Sequence, residues 1–200
     1  AIMMKNIQQD YYNSHIQNPY IFNDNLINYS IKNYPTSINS SSQSETKEIC
    51  VIDPGPKIES HINNLLSQVD KRLIKCILIT HTHADHSPAA NILKKKTGAK
   101  TYAFDSFPKG IEGSKFEEAH DREFIPDKKL KDKDIINGED WTIKAIHTPG
   151  HTSNHLCYAL EEEKILFTGD HVMGWATTVI VPPDGNMDDY VYSLKKLLNE

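Results

Sequence analysis

Two hundred residues, 38% of them hydrophobic and 24% charged, suffice for one domain with a sizeable core and exclude a chain that is disordered overall. The net charge of −5 argues against non-specific coating of nucleic acid, though not against an enzyme that admits a single strand to a local groove. No apolar run approaches the roughly 18 residues of a membrane span, and Ala1 to Tyr20 lacks the basic-then-apolar order of a secretory signal.

Residues 1–35 are rich in Asn, Tyr and Ile, and alternation such as Tyr29-Ser30-Ile31-Lys32 predicts short antiparallel strands. Thr36 to Lys47 reads as a mobile, polar, low-complexity loop. Glu48 to Ile52 reads as a buried strand ending in Asp53-Pro54-Gly55-Pro56, where Asp53 serves equally as an Asx turn or as a support for a ligand histidine. From Lys57 to Leu73, Ile58, Ile62, Leu65, Leu66, Val69 and Leu73 recur at helical spacing and predict one helix packed on a sheet. His61 within it reads as an ordinary helix position. The cysteines Cys50, Cys76 and Cys157 fall far apart in strand-like runs, without a C-x-x-C pair, and predict buried free thiols in a reducing compartment. A cytoplasmic location follows as an expectation.

The β-branched run Ile77-Leu78-Ile79-Thr80 then delivers His81-Thr82-His83-Ala84-Asp85-His86 and stops at Ser87-Pro88, a good N-cap and first helical residue. On extended backbone His81 and His83 point to one side and can grip one metal together. Asp85 and His86 lie where the chain turns into the helix and can face a second metal. Two cations that close require anions between them, a hydroxide and a further carboxylate. A helix from Ser87 to Lys96, closed by Lys94, Lys95, Lys96 and Gly98, precedes a strand from Ala99 to Phe104. Asp105 to Asp134 is charged and poorly periodic, a long excursion able to flank the site mouth. A strand from Trp141 to Ile146 ends in His147-Thr148-Pro149-Gly150-His151. Leu156 to Leu160 and Lys164 to Thr168 form a hairpin that ends in Gly169-Asp170-His171, and Met187 to Leu198 is a helix. Three strands therefore each hand a metal ligand to one end of the sheet.

The H-x-H-x-D-H run, with H-T-P-G-H-T and F-T-G-D after it, resembles the signatures of the metallo-β-lactamase superfamily, whose fold is a four-layer αββα sandwich. The resemblance implies that His81, His83 and His151 hold one metal, that Asp85 and His86 hold another, and that Asp170 bridges them. It further implies a metal-activated hydroxide as nucleophile, oriented by Asp85, with His147 behind the ligands. Zinc suits these donors first, then manganese or iron. A bridging Asp170 is similar to the glyoxalase II and RNA-processing branches rather than to true lactamases, so β-lactam hydrolysis is expected only as an incidental activity.

The resemblance covers the chain from Glu48 onward and implies one domain over residues 1–200. It also implies that the family's last strand, with its final histidine ligand, and any helical appendage lie beyond Glu200, which weakens the second metal position and predicts a tendency to associate. The run from His151-Thr152-Ser153-Asn154-His155 through Asp170-His171-Val172-Met173-Gly174-Trp175-Ala176-Thr177-Thr178 is closest to a small lactamase-like subgroup that includes an endoribonuclease. His155, His171, Trp175, Thr177 and Thr178 are thus candidates for substrate binding at the site mouth, Trp175 reading equally well as core. A single-stranded RNA phosphodiester is the expected substrate, a glyoxalase II-like thioester the alternative, and a catalytically weak, metal-stabilised domain the third reading. No membrane partner is expected.

Overall fold

A computed structural model describes residues 48–69, 72–108, 120–174 and 176–200. The strand and loop expected before Glu48 lie outside the described residues, as does Trp175. Four strands form a parallel sheet in chain order: β1 (Glu48–Ile52), β2 (Leu73–Leu78), β3 (Lys100–Ala103) and the two-residue β4 (Lys128–Lys129). A second, antiparallel sheet is a meander of β5 (Ile135–Asn137), β6 (Thr142–His147), β7 (Leu156–Leu160) and β8 (Ile165–Phe167).

Helices α1 (Glu59–Val69) and α2 (Ala90–Thr97) cover the outer face of the parallel sheet, because Ile62, Leu65, Val69, Ala90 and Leu93 are buried there against Ile49, Val51, Ile74, Ile77 and Ile79. Burying such an aliphatic side chain stabilises the fold by about 1.5–3 kcal/mol. The inner faces of the two sheets meet through Cys76, Leu78, Leu130, Trp141, Ile143, Leu156 and Tyr158. On the far side, Leu197 of α3 (Met187–Leu197) packs on Ile146 and Cys157. The layers run helix, sheet, sheet, helix, which is the αββα sandwich.

Strand β2 carries the sheet-facing logic. Cys76 and Leu78 enter the inter-sheet core while Ile77 enters the helix-side core, as alternation requires. Ile74 also faces the helices, three residues from Ile77, because the register with β1 shifts between Ile49 and Cys50 and leaves Lys75 as the extra residue. Lys75 stays at the surface and pairs with Glu48 at 2.6 Å.

The structure corrects several expected boundaries. The first helix stops at Val69, and Leu73 opens β2, so the apolar period of the helix and the start of the strand had merged into one pattern. Ser87 does not cap α2: the cap position is Ala89, with no side-chain bond, and the Ser87 hydroxyl donates to Asp121 Oδ2 at 2.7 Å. Within the charged excursion, Lys128–Lys129 adds a strand to the parallel sheet, and β5 precedes Trp141. Trp141 itself sits before β6, its indole N–H donating to the Glu48 carbonyl of the other sheet at 3.3 Å. All three cysteines are free. Among the described residues no helix is long and apolar enough to cross a membrane.

Candidate metal centre

Each ligand candidate sits just past the end of a strand. His81 to His86 follow β2, His151 follows β6 through the Pro149-Gly150 turn, and Asp170 follows β8. Gly169 makes the last placement, with φ of +48° and a position where a Cβ would lie 2.8 Å from both His155 Nε2 and Thr80 Oγ1. The two sheets are bonded to each other at this end. Tyr158 Oη donates to the Ile79 carbonyl at 2.8 Å, and the Leu156 N–H donates to the Thr80 carbonyl at 2.8 Å.

His81, His83, His151 and Asp170 bring one ligand atom each within 4.8 Å of one another, and Asp85, His86 and Asp170 do the same. His83 Nδ1 lies 2.8 Å from His81 Nε2 and 3.0 Å from His151 Nε2. Asp170 reaches both groups, 3.3 Å from His86 Nε2 and 3.8 Å from His151 Nε2. Asp85 lies 3.5 Å from His86 Nε2, with 43% of its side chain exposed. The geometry thus brings together all six residues expected as ligands.

The nitrogens turned away from the cluster set the tautomers. Thr80 donates its hydroxyl to Asp53 Oδ2 at 2.6 Å, so at 3.0 Å it accepts a proton from His81 Nδ1. His86 Nδ1 donates to the same Asp53 oxygen at 2.9 Å, and His151 Nδ1 donates to the Val179 carbonyl at 2.5 Å. His81 and His151 therefore turn Nε2 as a lone-pair donor to the centre, as metal ligation requires, whereas His86, whose charged form the surrounding carboxylates favour, gives up its Nε2 proton when a cation takes its place. Asp53 acts both as turn and as support, its Oδ1 accepting the Thr80 N–H at 2.7 Å. His61 is not a ligand; its Nε2 meets the Pro54 carbonyl at 2.7 Å and braces the same turn.

Charge supports the assignment. Burial, with His151 and His86 adding to it, pushes His83 down to about 3. His81 falls well below the histidine range for the same reason, burial first and His86 next. Burial would also lower His86, yet Asp85, Asp170 and Asp53 around it hold it well above its usual range. Burial would raise Asp85, but the charge and hydrogen bond of His86 hold it below the usual carboxylate range. Neutral imidazole nitrogens crowd one position and carboxylates surround the other, so both favour a cation. In a tetrahedral zinc site with bonds near 2.05 Å, ligand nitrogens stand about 3.3 Å apart, close to the 2.8 and 3.0 Å found here. The residues fit a metal.

Other expected site residues lie elsewhere. His155 and His171 are fully buried rather than at the mouth. His155 lies behind His81, ring centroids 5.2 Å apart and tilted, with Nδ1 2.9 Å from Thr148 Oγ1. His171 lies against Tyr190 at 4.7 Å. Thr178 shares its hydroxyl proton between the Asp170 and His171 carbonyls, both at 3.0 Å, and so fixes the turn that carries Asp170. Thr177 is exposed. His147 does not back the ligands; it stacks on Phe104 at 3.9 Å and meets the Ser153 carbonyl at 3.0 Å.

Two neighbours of the centre carried no local signal. Asn154, buried, donates to Thr82 Oγ1 at 3.0 Å and ties the loops carrying His81 and His151 together. His120 comes from the charged excursion and pairs with His83 across an isolated antiparallel bridge, ring centroids 4.7 Å apart. A histidine in a stretch without periodicity gives sequence reasoning nothing to place it by.

Residues 43–200 match the family model of the metallo-beta-lactamase superfamily, and the chain belongs to that family. Among curated relatives, it is 31% identical over 135 residues to an atrochrysone carboxyl ACP thioesterase of Aspergillus fumigatus, an alignment covering 66% of this chain and 37% of that protein. It is 28% identical over 163 residues to hydroxyacylglutathione hydrolase GloC of Haemophilus influenzae, covering 77% and 75% respectively. The chain thus spans well under half the length of the fungal thioesterase. The B3 metallo-beta-lactamase BLEG-1 superposes with a TM-score of 0.62 at 21% identity, over 77% of this chain and 76% of that one. TTHA1623, solved in a di-iron-bound form, gives 0.56 at 23%, over 74% of each chain. At such identities these two establish the fold.

Proposed function

We propose that the chain is a metal-dependent hydrolase of thioesters. The observation that carries the reaction class is the pair of ligand groups sharing Asp170 beside a partly exposed Asp85. The choice of thioester is supported by relatives named as an ACP thioesterase and as a hydroxyacylglutathione hydrolase. The phosphodiester expectation rested on the runs from His151 to His155 and from Asp170 to Thr178 and on Tyr190 to Leu194; of its candidates, His155 and His171 are buried and the Thr178 hydroxyl is committed to two backbone carbonyls.

His81, His83 and His151 would hold one cation and Asp85 and His86 another, with Asp170 common to both. When bound, such ions supply an acidified water and a Lewis acid for the carbonyl oxygen. Zinc is the first choice of ion, then iron or manganese. The chain's own part is orientation. Asp85, ionised and open to solvent on one side, accepts a hydrogen bond from the attacking water through a carboxylate oxygen. Asp53 and Thr80 hold the proton on Nδ1 of His86 and of His81, so that neither ring turns. The leaving thiolate of a thioester departs without an acid.

The test is turnover, followed by thiol release, of S-lactoylglutathione and an acyl-N-acetylcysteamine in metal-loaded and chelated protein, with single-stranded RNA as a parallel substrate. Metal-dependent thioester turnover is the expected outcome. RNA cleavage without thioester turnover would return the phosphodiester reading.

A further inference from the structure

Away from the metal centre, Cys50 and Cys76 meet across the parallel sheet. They are register partners on β1 and β2, both side chains pack in the inter-sheet core, and the Cys76 thiol donates to the Cys50 sulfur at 3.5 Å. Neighbouring strands stand about 4.8 Å apart, and a disulfide spans Cα separations of roughly 4.4–6.8 Å, so the backbone already has the spacing of a cross-link. The two thiols differ in access. Cys50 is partly exposed on β1, the edge strand of that sheet among the described residues, and Cys76 is buried beside it. The third cysteine lies in a different core: Cys157 packs with Ile146 and Leu197, its sulfur 3.2 Å from Thr148 Oγ1.

We propose that Cys50 and Cys76 form a peroxide-reactive dithiol site, in which Cys50 takes the oxidant and Cys76 resolves it as an intramolecular disulfide. The oxidant is hydrogen peroxide. The Cys50 thiolate attacks one peroxide oxygen, the O–O bond breaks, and hydroxide leaves with the electron pair and takes up the thiol proton as water. Cys50 is then a sulfenic acid. The Cys76 sulfur attacks the Cys50 sulfur, the S–O bond breaks, and a second water leaves with the Cys76 proton. Two thiols and one peroxide thus give one disulfide and two waters, the pair losing two electrons and the peroxide gaining them. Burial, with the Cys76 thiol adding to it, holds the Cys50 thiol well above its usual range, so the first step is slow. A resolving sulfur at 3.5 Å makes the second fast, and the sulfenic acid is captured before another peroxide carries it to the irreversible sulfinic acid. The bond ties together the strands that lead to Asp53 and to His81.

The experiment treats zinc-loaded protein, whose metal has no redox chemistry of its own, with hydrogen peroxide, removes the excess with catalase, and unfolds the chain in an alkylating agent. Intact mass and peptide mapping then count the thiols. Untreated protein is expected to take three adducts, one on each free cysteine. Treated protein is expected to take one, on Cys157, with the peptide containing Cys50 joined to the peptide containing Cys76, and dithiothreitol is expected to return all three. Three adducts after peroxide, a sulfinic acid on Cys50 beside an alkylated Cys76, or linkage between two chains would each overturn the site. Cys76→Ala is expected to leave Cys50 as the sulfinic acid at the same dose, and Cys157→Ser to leave the disulfide unchanged. A disulfide lost in Cys157→Ser overturns the pairing. Mapping of the unaltered protein reads the bond directly, so the result stands whether or not the core variant folds.

Discussion

Asp170 places one carboxylate oxygen 3.3 Å from His86 Nε2 and the other 3.8 Å from His151 Nε2, so neither ligand group is complete without it. Asp170→Asn keeps the shape and removes the charge that two adjacent cations need between them. Elemental analysis of that variant is expected to show at most one metal per chain and weaker binding of the one that stays; two tight metals would show that the groups do not share it. The residue before it is constrained by its own backbone. Gly169→Ala forces a Cβ at φ of +48° against His155 Nε2 and Thr80 Oγ1, and overpacking of this kind costs about 1–3 kcal/mol. A urea midpoint unchanged by Gly169→Ala would contradict the packing described. Cys157 is a bystander by the same logic: burial pushes its thiol up to about 12 despite the Thr148 hydroxyl. At pH 8 it is expected to resist alkylation in the folded protein and to react once urea is added.

At the scale of elements, α3 does more than cover the antiparallel sheet. Ser193 donates to the Pro149 carbonyl at 2.7 Å, Lys196 to the His147 carbonyl at 2.9 Å, and the Asn186 N–H to the Gly150 carbonyl at 2.8 Å. Three bonds from one helix thus fix the turn that carries His151. Gly150 is required there, since a Cβ would fall 2.4 Å from the Tyr190 backbone. The helix starts at Asn186, whose side chain accepts the Asp189 N–H at 3.0 Å, and Asn186→Ala is expected to cost about 1 kcal/mol. Ser193→Ala leaves the Pro149 carbonyl without its donor and is expected to cost about 1–3 kcal/mol and to loosen metal at His151. If stability falls while metal affinity holds, the helix is only a cover.

This division also explains what was legible in the sequence. The six ligand candidates were readable because each follows a short apolar strand, and a strand fixes where its end points. The four layers came with the family resemblance that the ligand motifs carry, while strand and helix periodicity supplied only the individual elements. Ser87 misled because its partner, Asp121, lies 34 residues away, and a local capping pattern carries no information about that. His155 and His171 looked like mouth residues from their position beside His151 and Asp170 in the sequence; their burial depends on Thr148, His81 and Tyr190 from other elements. His120 depends in the same way on a bridge formed only in the folded chain.

For the whole molecule, the centre lies where the two sheets are hydrogen-bonded to each other, through Tyr158 to Ile79 and Leu156 to Thr80. Its ligands come from both sheets: His81, His83, Asp85 and His86 follow the parallel one, His151 and Asp170 the antiparallel one. Cations held by these groups would join the two sheets at that end and would bind the assembled form in preference to the unfolded chain. Free metal at a hundred times its dissociation constant then adds about 2.7 kcal/mol to the folded state. For a chain of this size that raises the melting temperature by roughly 5–10 °C. Thermal unfolding of chelated and zinc-reloaded protein measures this directly, with Asp170→Asn as the comparison. The unaltered protein is expected to gain the full shift and the variant less. Equal melting temperatures with and without metal would mean that the strand ends are held together by protein bonds alone, and that the cluster does not bind a cation in the folded chain.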